Sequence, residues 1–204
     1  MARAPLALMA LLLMLLGLSG CATSPPRNTD NICAIFREQD DWYDAAQDAN
    51  ERWGTPIQVM MAIMHQESRF VHDAQPPRTW YLGFIPGPRP SSAYGYAQAQ
   101  TPAWDDYLKE AGSWGADRDE FADAVDFIGW YTWKTHQVNG VSKWHADLQY
   151  LNYHEGWGGY RRGTYKSKPW LIGVSRKVKR RASDYGAQLR GCQDSLEGGF
   201  FNWF

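Results

Sequence analysis

A short apolar run in the first third of the chain ends close to a single carboxylate. Residues 60–64 are all apolar, and Glu67 follows within one helical turn. Thr55, Pro56 and Gln58 have the spacing of a capping box with proline at the first helical position. The pattern therefore predicts a helix with Thr55 as N-cap and with Glu67 in or near its last turn.

The predicted position of Glu67 has a chemical consequence. The negative end of the helix dipole and an apolar flank that excludes water both disfavour an ionised carboxylate, so both raise its pKa. Glu67 is therefore a candidate proton donor near neutral pH. For a lone glutamate, the common alternative is a residue that ends an amphipathic helix and pairs in solvent with a cation such as Arg69.

Most of the remaining chain also has helical spacing, and no strand of convincing length is predicted. Five prolines between residues 72 and 92 exclude a helix there and predict a long loop or short hairpin, either a lip over a cleft or a packed flap. A cluster of four glycines predicts a second loop, at Gly156, Gly158, Gly159 and Gly163. Helices are expected over residues 30–53 (one or two), from Thr101, from Asp117 or Asp119 to about Thr135, from Ser142 to about Tyr153, and from Pro169 to Leu189.

Composition limits the classes of partner. The formal net charge of −1 gives no argument for nucleic acid, which is not expected as a partner. Aromatic residues make up 15% of the chain, and aromatic faces stack on sugar rings as well as filling a core. The last predicted helix carries five cations that could meet an acidic wall polymer or anionic lipid, or simply face solvent: Arg176, Lys177, Lys179, Arg180 and Arg181.

The first thirty residues read as a targeting segment and a linker. Residues 1–20 combine an early arginine, an apolar stretch and small residues, as a signal peptide does. The ending at residues 18–21 resembles the lipobox of bacterial lipoproteins, which implies that Cys21 is lipidated. Ala22, rather than aspartate, follows it, and this implies a periplasmic protein anchored in the outer membrane. Residues 21–31 are predicted to be a flexible tether.

Two further cysteines lie near the ends of the predicted domain. In an exported chain, Cys33 and Cys192 are expected to form a disulfide that ties these ends together. Two buried free cysteines are the alternative. The final apolar residues, 200–204, are expected to pack back on the domain.

Three short segments resemble one enzyme family when they are taken together. They are residues 65–70 (HQESRF), 93–98 (AYGYAQ) and 152–156 (NYHEG). In this order they are similar to the soluble lytic transglycosylase domain, a goose-lysozyme-like family that cuts bacterial peptidoglycan. The resemblance covers roughly residues 55–160 and implies that Glu67 is catalytic. It also implies that the substrate contacts are Ser68, Tyr96, Gln98, Tyr153 and His154.

Two features depart from the pattern of that family. His154 stands where the family often has an asparagine that helps to hold the sugar, so contacts there are expected to differ. The spacing from Glu67 to Gly95 is longer than usual, which the proline-rich loop explains as an insertion.

The chemistry of glycoside cleavage assigns roles to these residues. An acid must protonate the leaving oxygen, and most such enzymes add a second carboxylate, for which Asp73 and Glu155 are candidates. If neither faces Glu67, the N-acetyl group of the muramic acid could serve as internal nucleophile. The resemblance implies that Glu67 would then act as base on the C6 hydroxyl and give a 1,6-anhydro product without water, as the family does. Tyr153 is predicted to hydrogen-bond Glu67, and Gln98 to bind an N-acetyl or hydroxyl group.

No metal or cofactor is expected. His136, His145 and His154 are nine residues apart, so neighbours would point to opposite sides of one helix, and no zinc or phosphate-loop motif is present. The sequence therefore predicts a mainly α, goose-lysozyme-like single domain over residues 32–204. We expect a monomeric lytic transglycosylase; a hydrolytic muramidase and a non-catalytic wall-binding lipoprotein remain alternatives.

Overall fold

The protein is mainly helical over residues 24–197, the part that its computed structural model describes, as the sequence predicted. The predicted signal peptide, Cys21 and the apolar tail 200–204 lie outside these residues. The α-helices are α1 (Ile32–Glu38), α2 (Trp42–Trp53), α3 (Ile57–Ser68), α4 (Thr101–Glu110), α5 (Phe121–Asn139), α6 (Ala146–Arg162), α7 (Pro169–Leu189) and α8 (Gln193–Glu197). Among the described helices, none is long and apolar enough to cross a membrane.

Helix α3 lies in the middle of the fold. Its residues 60–64 are completely buried, and it packs against α2, α5, α6 and α7. A helix segment packed between other helices is expected to be hydrophobic on all its faces, and residues 57–64 of α3 are apolar and buried except for Gln58. The other helices therefore enclose the helix that carries Glu67.

The start of α3 differs from the prediction. The helix begins at Ile57 with Pro56 as its N-cap residue, so the capping-box interpretation of Thr55 was wrong. Thr55 is buried, and its Oγ1 atom shares a hydrogen bond of 2.8 Å with Oγ1 of Thr132 in α5. The Thr55 hydroxyl, which the local pattern predicted to cap the start of the helix, is therefore used in a contact with a distant helix.

Helix α5 also begins later than predicted, at Phe121 instead of Asp117 or Asp119. The backbone N–H of Asp117 donates to Asp123 (2.9 Å), and Asp119 accepts a hydrogen bond from the Tyr94 hydroxyl (2.8 Å). Both aspartates therefore belong to the loop that precedes the helix.

Helix α6 contradicts the prediction of a glycine loop. It begins at Ala146 rather than Ser142 and continues to Arg162 through a kink at Gly156, whose φ of 70° and ψ of 159° are not helical. Trp157 stabilises the helix beyond the kink: its ring stacks on Tyr131 at 4.6 Å between centroids, and its Nε1–H donates to Thr135. Aromatic packing therefore outweighs the low helix propensity of the glycines.

The proline-rich segment contains a small hairpin, one of the two outcomes that the sequence left open. Strand β1 (Trp80–Tyr81) pairs antiparallel with β2 (Ile85–Pro86). Large apolar side chains are exposed along it and around its turn, namely Trp80, Tyr81, Leu82, Phe84 and Ile85.

The ends of the domain are joined covalently. Cys33 of α1 and Cys192, which follows α7, form the predicted disulfide. The described part of the predicted tether is bound to the helices as well, since Pro26 is buried and the carbonyl of Thr29 accepts a hydrogen bond from Tyr185. Pro26 and Thr29 of the predicted tether therefore contact the domain.

Removing the disulfide should destabilise the domain. In the chain-entropy model, a cross-link between residues 159 apart stabilises by up to about 5 kcal/mol, so Cys33→Ser with Cys192→Ser should lower the free energy of unfolding by up to that amount. Urea denaturation measures this difference, and reduced wild-type protein is the control that should match the double variant. Identical curves for oxidised wild type and the double variant would contradict the prediction.

Candidate active site

A cleft of about 500 Å³ opens beside the C-terminal end of α3. Residues of four parts of the chain line it: the end of α3, the segment from residue 93 to the start of α4, one face of α5 and the kinked middle of α6. The lining residues are Glu67, Ala93, Gln98, Ala99, Gln100, Pro102, Ala103, Phe127, Tyr131, Tyr153, His154, Glu155 and Gly156. The cleft therefore contains Glu67, Gln98, Tyr153 and His154 of the predicted site.

Glu67 occupies the last turn of α3, as the sequence predicted. Burial raises the pKa of its carboxyl to about 7, and a hydrogen bond from the Tyr150 hydroxyl opposes this rise. The direction agrees with the sequence argument, in which apolar surroundings disfavour the ionised form. Near neutral pH a large fraction of Glu67 therefore carries a proton that it can donate.

Two tyrosines of α6 approach Glu67, and their roles differ from the prediction. The hydroxyl of Tyr153 donates to the carbonyl of Ala97 (2.6 Å), whereas we predicted that it would bind Glu67. Tyr150 forms that bond instead. Burial and the neighbouring Glu67 raise the pKa of Tyr150, so its hydroxyl keeps its proton and can donate it to the carboxylate. Tyr150 lies three residues before Tyr153 on the same helix face, which is the signal that could have identified it.

The turn that carries Gln98 is held by backbone constraints. Gly95 has a φ of 75°, and a Cβ atom there would lie 1.9 Å from the carbonyl oxygen of Arg118, so only glycine fits. The Gln98 amide donates to the carbonyls of Ala74 (2.7 Å) and Gly95 (3.0 Å). No group among residues 24–197 donates to its side-chain oxygen. Gln98 can therefore present a hydrogen-bond acceptor to a ligand in the cleft.

Tyr96 does not belong to the cleft, contrary to the prediction. It is 1% exposed, and its ring meets Trp42 and Phe121 edge-on at 5.5 and 5.8 Å between centroids. The tight turn between Gly95 and Gln98 directs this side chain into the core.

Ser68 is also a structural residue here rather than a contact in the cleft. Its hydroxyl accepts a hydrogen bond from the backbone N–H of Phe70 (3.1 Å) and donates to the carbonyl of Met64 (3.4 Å). Arg69 and Phe70 both have positive φ, an uncommon conformation for non-glycine residues. Ser68 therefore stabilises the chain reversal that ends α3 directly after Glu67.

The second carboxylate of the cleft is Glu155. Desolvation favours its neutral form, but hydrogen bonds from Lys168, Thr164 and His154 outweigh this effect and lower the pKa of Glu155 to about 2. Lys168 Nζ lies 2.7 and 3.0 Å from the two carboxylate oxygens, and His154 Nδ1 lies 3.0 Å from one of them. Glu155 is therefore ionised and already engaged on both oxygens.

The remaining candidate for a second carboxylate, Asp73, is not part of the cleft. Asp73 is exposed and does not line the cleft. Across residues 24–197, no group of three or more histidine, cysteine or acidic side chains is arranged to hold a metal ion.

A family model described as the transglycosylase SLT domain matches residues 9–192. The chain belongs to this transglycosylase family. The match extends beyond the motifs on both sides and includes helices α1–α7, so the final long helix is part of the family domain. No curated protein and no solved structure matches the chain.

The Tyr150 contact can be tested by titration of Glu67. Tyr150→Phe removes a hydrogen bond that favours the ionised carboxylate, so the pKa of Glu67 should rise and its acid dissociation constant should fall about tenfold. Carboxyl ¹³C NMR of glutamate-labelled protein measures the pKa. Tyr153→Phe is the matched control, because its hydroxyl donates to Ala97; an equal rise in both variants would contradict the assignment.

Proposed function

We propose that the protein is a peptidoglycan lytic transglycosylase that cleaves the β-1,4 bond between N-acetylmuramic acid and N-acetylglucosamine. The observation that carries the proposal is the raised pKa of Glu67 in the cleft, together with membership of the transglycosylase SLT family. A carboxyl group that is protonated near neutral pH is the acid that glycosidic bond cleavage needs. Glu67 is the general acid in this proposal.

The same carboxyl group serves both halves of the reaction. Glu67 gives its proton to the bridging oxygen, the C1–O bond breaks, and the N-acetylglucosamine side leaves as an alcohol. The N-acetyl group of the muramic residue stabilises the positive charge at C1. The Glu67 carboxylate then takes the proton of the C6 hydroxyl while the C6 oxygen bonds to C1, which gives the 1,6-anhydro ring and restores the acid. No water is consumed.

The walls of the cleft suit a glycan strand. Phe127 and Tyr131 form the apolar wall of the cleft; both rings are almost completely buried, so they shape the space and keep water away from one side of it. The side-chain oxygen of Gln98 can accept a hydrogen bond from an N-acetyl N–H or a hydroxyl group. His154 lies at the exposed edge, where its ring is oriented by Glu155 and meets Trp170 edge-on at 5.3 Å.

The state of Glu155 favours a transglycosylase over a two-carboxylate hydrolase. A nucleophile or base needs free lone pairs toward the sugar or water, but both oxygens of Glu155 accept hydrogen bonds from protein groups. A hydrolytic muramidase is the second candidate because Glu155 is nevertheless ionised and lines the same cleft as Glu67.

Purified sacculi test the proposal. Wild-type protein should release muropeptides with 1,6-anhydro ends, identified by mass as one water lighter than reducing ends. Glu67→Gln should lose activity by at least about a hundredfold, since general acid–base catalysis typically contributes that much. Wild-type activity should fall as the pH rises above about 7, because deprotonated Glu67 cannot act as acid.

Each alternative has its own outcome in this assay. Reducing ends would identify a hydrolase, and full activity of Glu67→Gln would remove the proposed site. Binding to sacculi without turnover would favour a wall-binding protein.

The location of the protein is a further proposal. We infer a periplasmic protein, lipid-anchored at Cys21 in the outer membrane, from the lipobox resemblance. The Cys33–Cys192 disulfide supports an oxidising compartment outside the cytoplasm. Cys21→Ser should move the protein from the membrane fraction to the soluble periplasmic fraction, as followed by immunoblotting; an unchanged membrane fraction would contradict the anchor.

A further inference from the structure

A second pocket lies on the other side of the catalytic helix. It has a volume of about 390 Å³ and is formed by α3, the residue that caps α3, and α7. We refer to it as the basic pocket, and its lining residues are Ala62, His65, Gln66, Arg69, Lys177, Val178, Arg180, Arg181 and Asp184. It contains four of the protein's arginine and lysine side chains and one carboxylate.

The basic pocket is separate from the cleft. Successive helical residues are rotated by about 100°, so Glu67 points about 150° away from the mean direction of His65, Gln66 and Arg69. The two pockets have no lining residue in common. A glycan bound beside Glu67 would therefore leave the basic pocket open to another ligand.

The cations of the basic pocket are poorly neutralised. Arg181 forms an ion pair with Asp30 at 2.8 Å. Among residues 24–197, however, no side-chain hydrogen bond or ion pair engages Arg69, Lys177 or Arg180. Like charges that converge on one concave surface repel each other and create a positive potential that attracts an anion. The pocket therefore keeps an excess of positive charge, since Asp184 and the Asp30 partner of Arg181 offset only part of its four cations.

Neutral donors complete this surface. The His65 ring is half-buried and touches Phe70 and Tyr185 edge-on at 5.8 and 6.5 Å between centroids, and neither ring nitrogen has a hydrogen-bond partner in the described chain. Gln66 likewise makes no side-chain hydrogen bond there. Burial and the nearby Arg181 lower the pKa of His65 to about 4, with Arg69 adding to the effect and Asp30 opposing it. A neutral His65 can therefore donate one hydrogen bond.

We propose that the basic pocket binds a phosphoryl group, carried either by a small soluble phosphate ester or by the headgroup of an anionic lipid. Guanidinium groups bind phosphate with paired, charge-assisted hydrogen bonds. The pocket offers two that no protein group engages, Arg69 and Arg180, together with the Lys177 ammonium group and the ion-paired Arg181. A phosphate dianion matches this excess of cations better than a single carboxylate does. The volume leaves room for the glycerol or sugar that bears the phosphate.

Titration of the full-length, folded protein with glycerol 1-phosphate tests the soluble source. The imidazole signal of His65 is followed by NMR, and an anion beside this ring should raise its pKa. Lys177→Gln combined with Arg180→Gln should weaken binding by at least about tenfold, because each change removes a hydrogen bond to a charged ligand. Arg176→Gln combined with Arg190→Gln is the matched control: it removes the same charge from exposed positions at α7 outside the pocket and should change binding less than about twofold.

Vesicles test the lipid source. All proteins in this assay carry Cys21→Ser, so that no acyl anchor contributes to binding. The protein with an otherwise unchanged pocket should sediment with vesicles of equal parts phosphatidylglycerol and phosphatidylcholine. It should not sediment with vesicles of phosphatidylcholine alone. If the preference for phosphatidylglycerol vesicles is lost in the Lys177/Arg180 variant but kept in the Arg176/Arg190 control, the ligand is a lipid headgroup. Saturable binding of glycerol 1-phosphate without vesicle binding identifies a soluble ester. Equal losses in the pocket and control variants, or no binding of either probe, would overturn the proposal; thermal melting verifies that both variants are folded.

Discussion

Desolvation of one carboxyl group determines what the cleft can do, and it depends on the enclosure of α3 by four other helices. Residues 60–64 fill the space between α2, α5, α6 and α7, and the next three residues, 65–67, are only partly buried. Ser68 then fixes the reversal, and Phe70 returns to the core. Glu67 is therefore held at the boundary between the packed interior and the cleft, where burial favours its neutral form.

The two carboxyl groups of the cleft have opposite properties because their surroundings differ. Glu67 receives one hydrogen bond from a neutral hydroxyl, and burial dominates. Glu155 receives hydrogen bonds from an ammonium group, a hydroxyl and an imidazole, and these outweigh burial. Pairs of acids whose environments separate their pKa values are characteristic of sites that need one protonated and one ionised group. In this cleft, the ionised group is engaged with the protein at the kink of α6, and the protonated group is available to a ligand.

Local sequence patterns predicted which segments are helical, and tertiary contacts decided their limits. Proline at the start of α7 and glycine after α2 act within one turn, so these signals were sufficient. Helix α5, predicted to end at about Thr135, continues to Asn139 and ends at Gly140. Thr55 and Gly156 were misinterpreted because their partners, Thr132 and the aromatic group around Trp157, are distant in sequence. In the site, too, local motifs predicted some residues and distant contacts determined the others. Motif spacing brought Glu67, Gln98, Tyr153 and His154 together, but it could not predict that Tyr96 turns inward or that Tyr150, and not Tyr153, reaches the carboxylate.

The link between Cys33 and Cys192 also sets the path of mechanical force through the molecule. Tension between the two ends of the chain passes from residue 33 across the sulfur–sulfur bond to residue 192, and the stretch between these cysteines, residues 34–191, carries none of it. All helices that form the cleft lie within that stretch. Stretching the polypeptide by its termini would therefore leave the geometry around Glu67 unstrained for as long as the covalent link is intact.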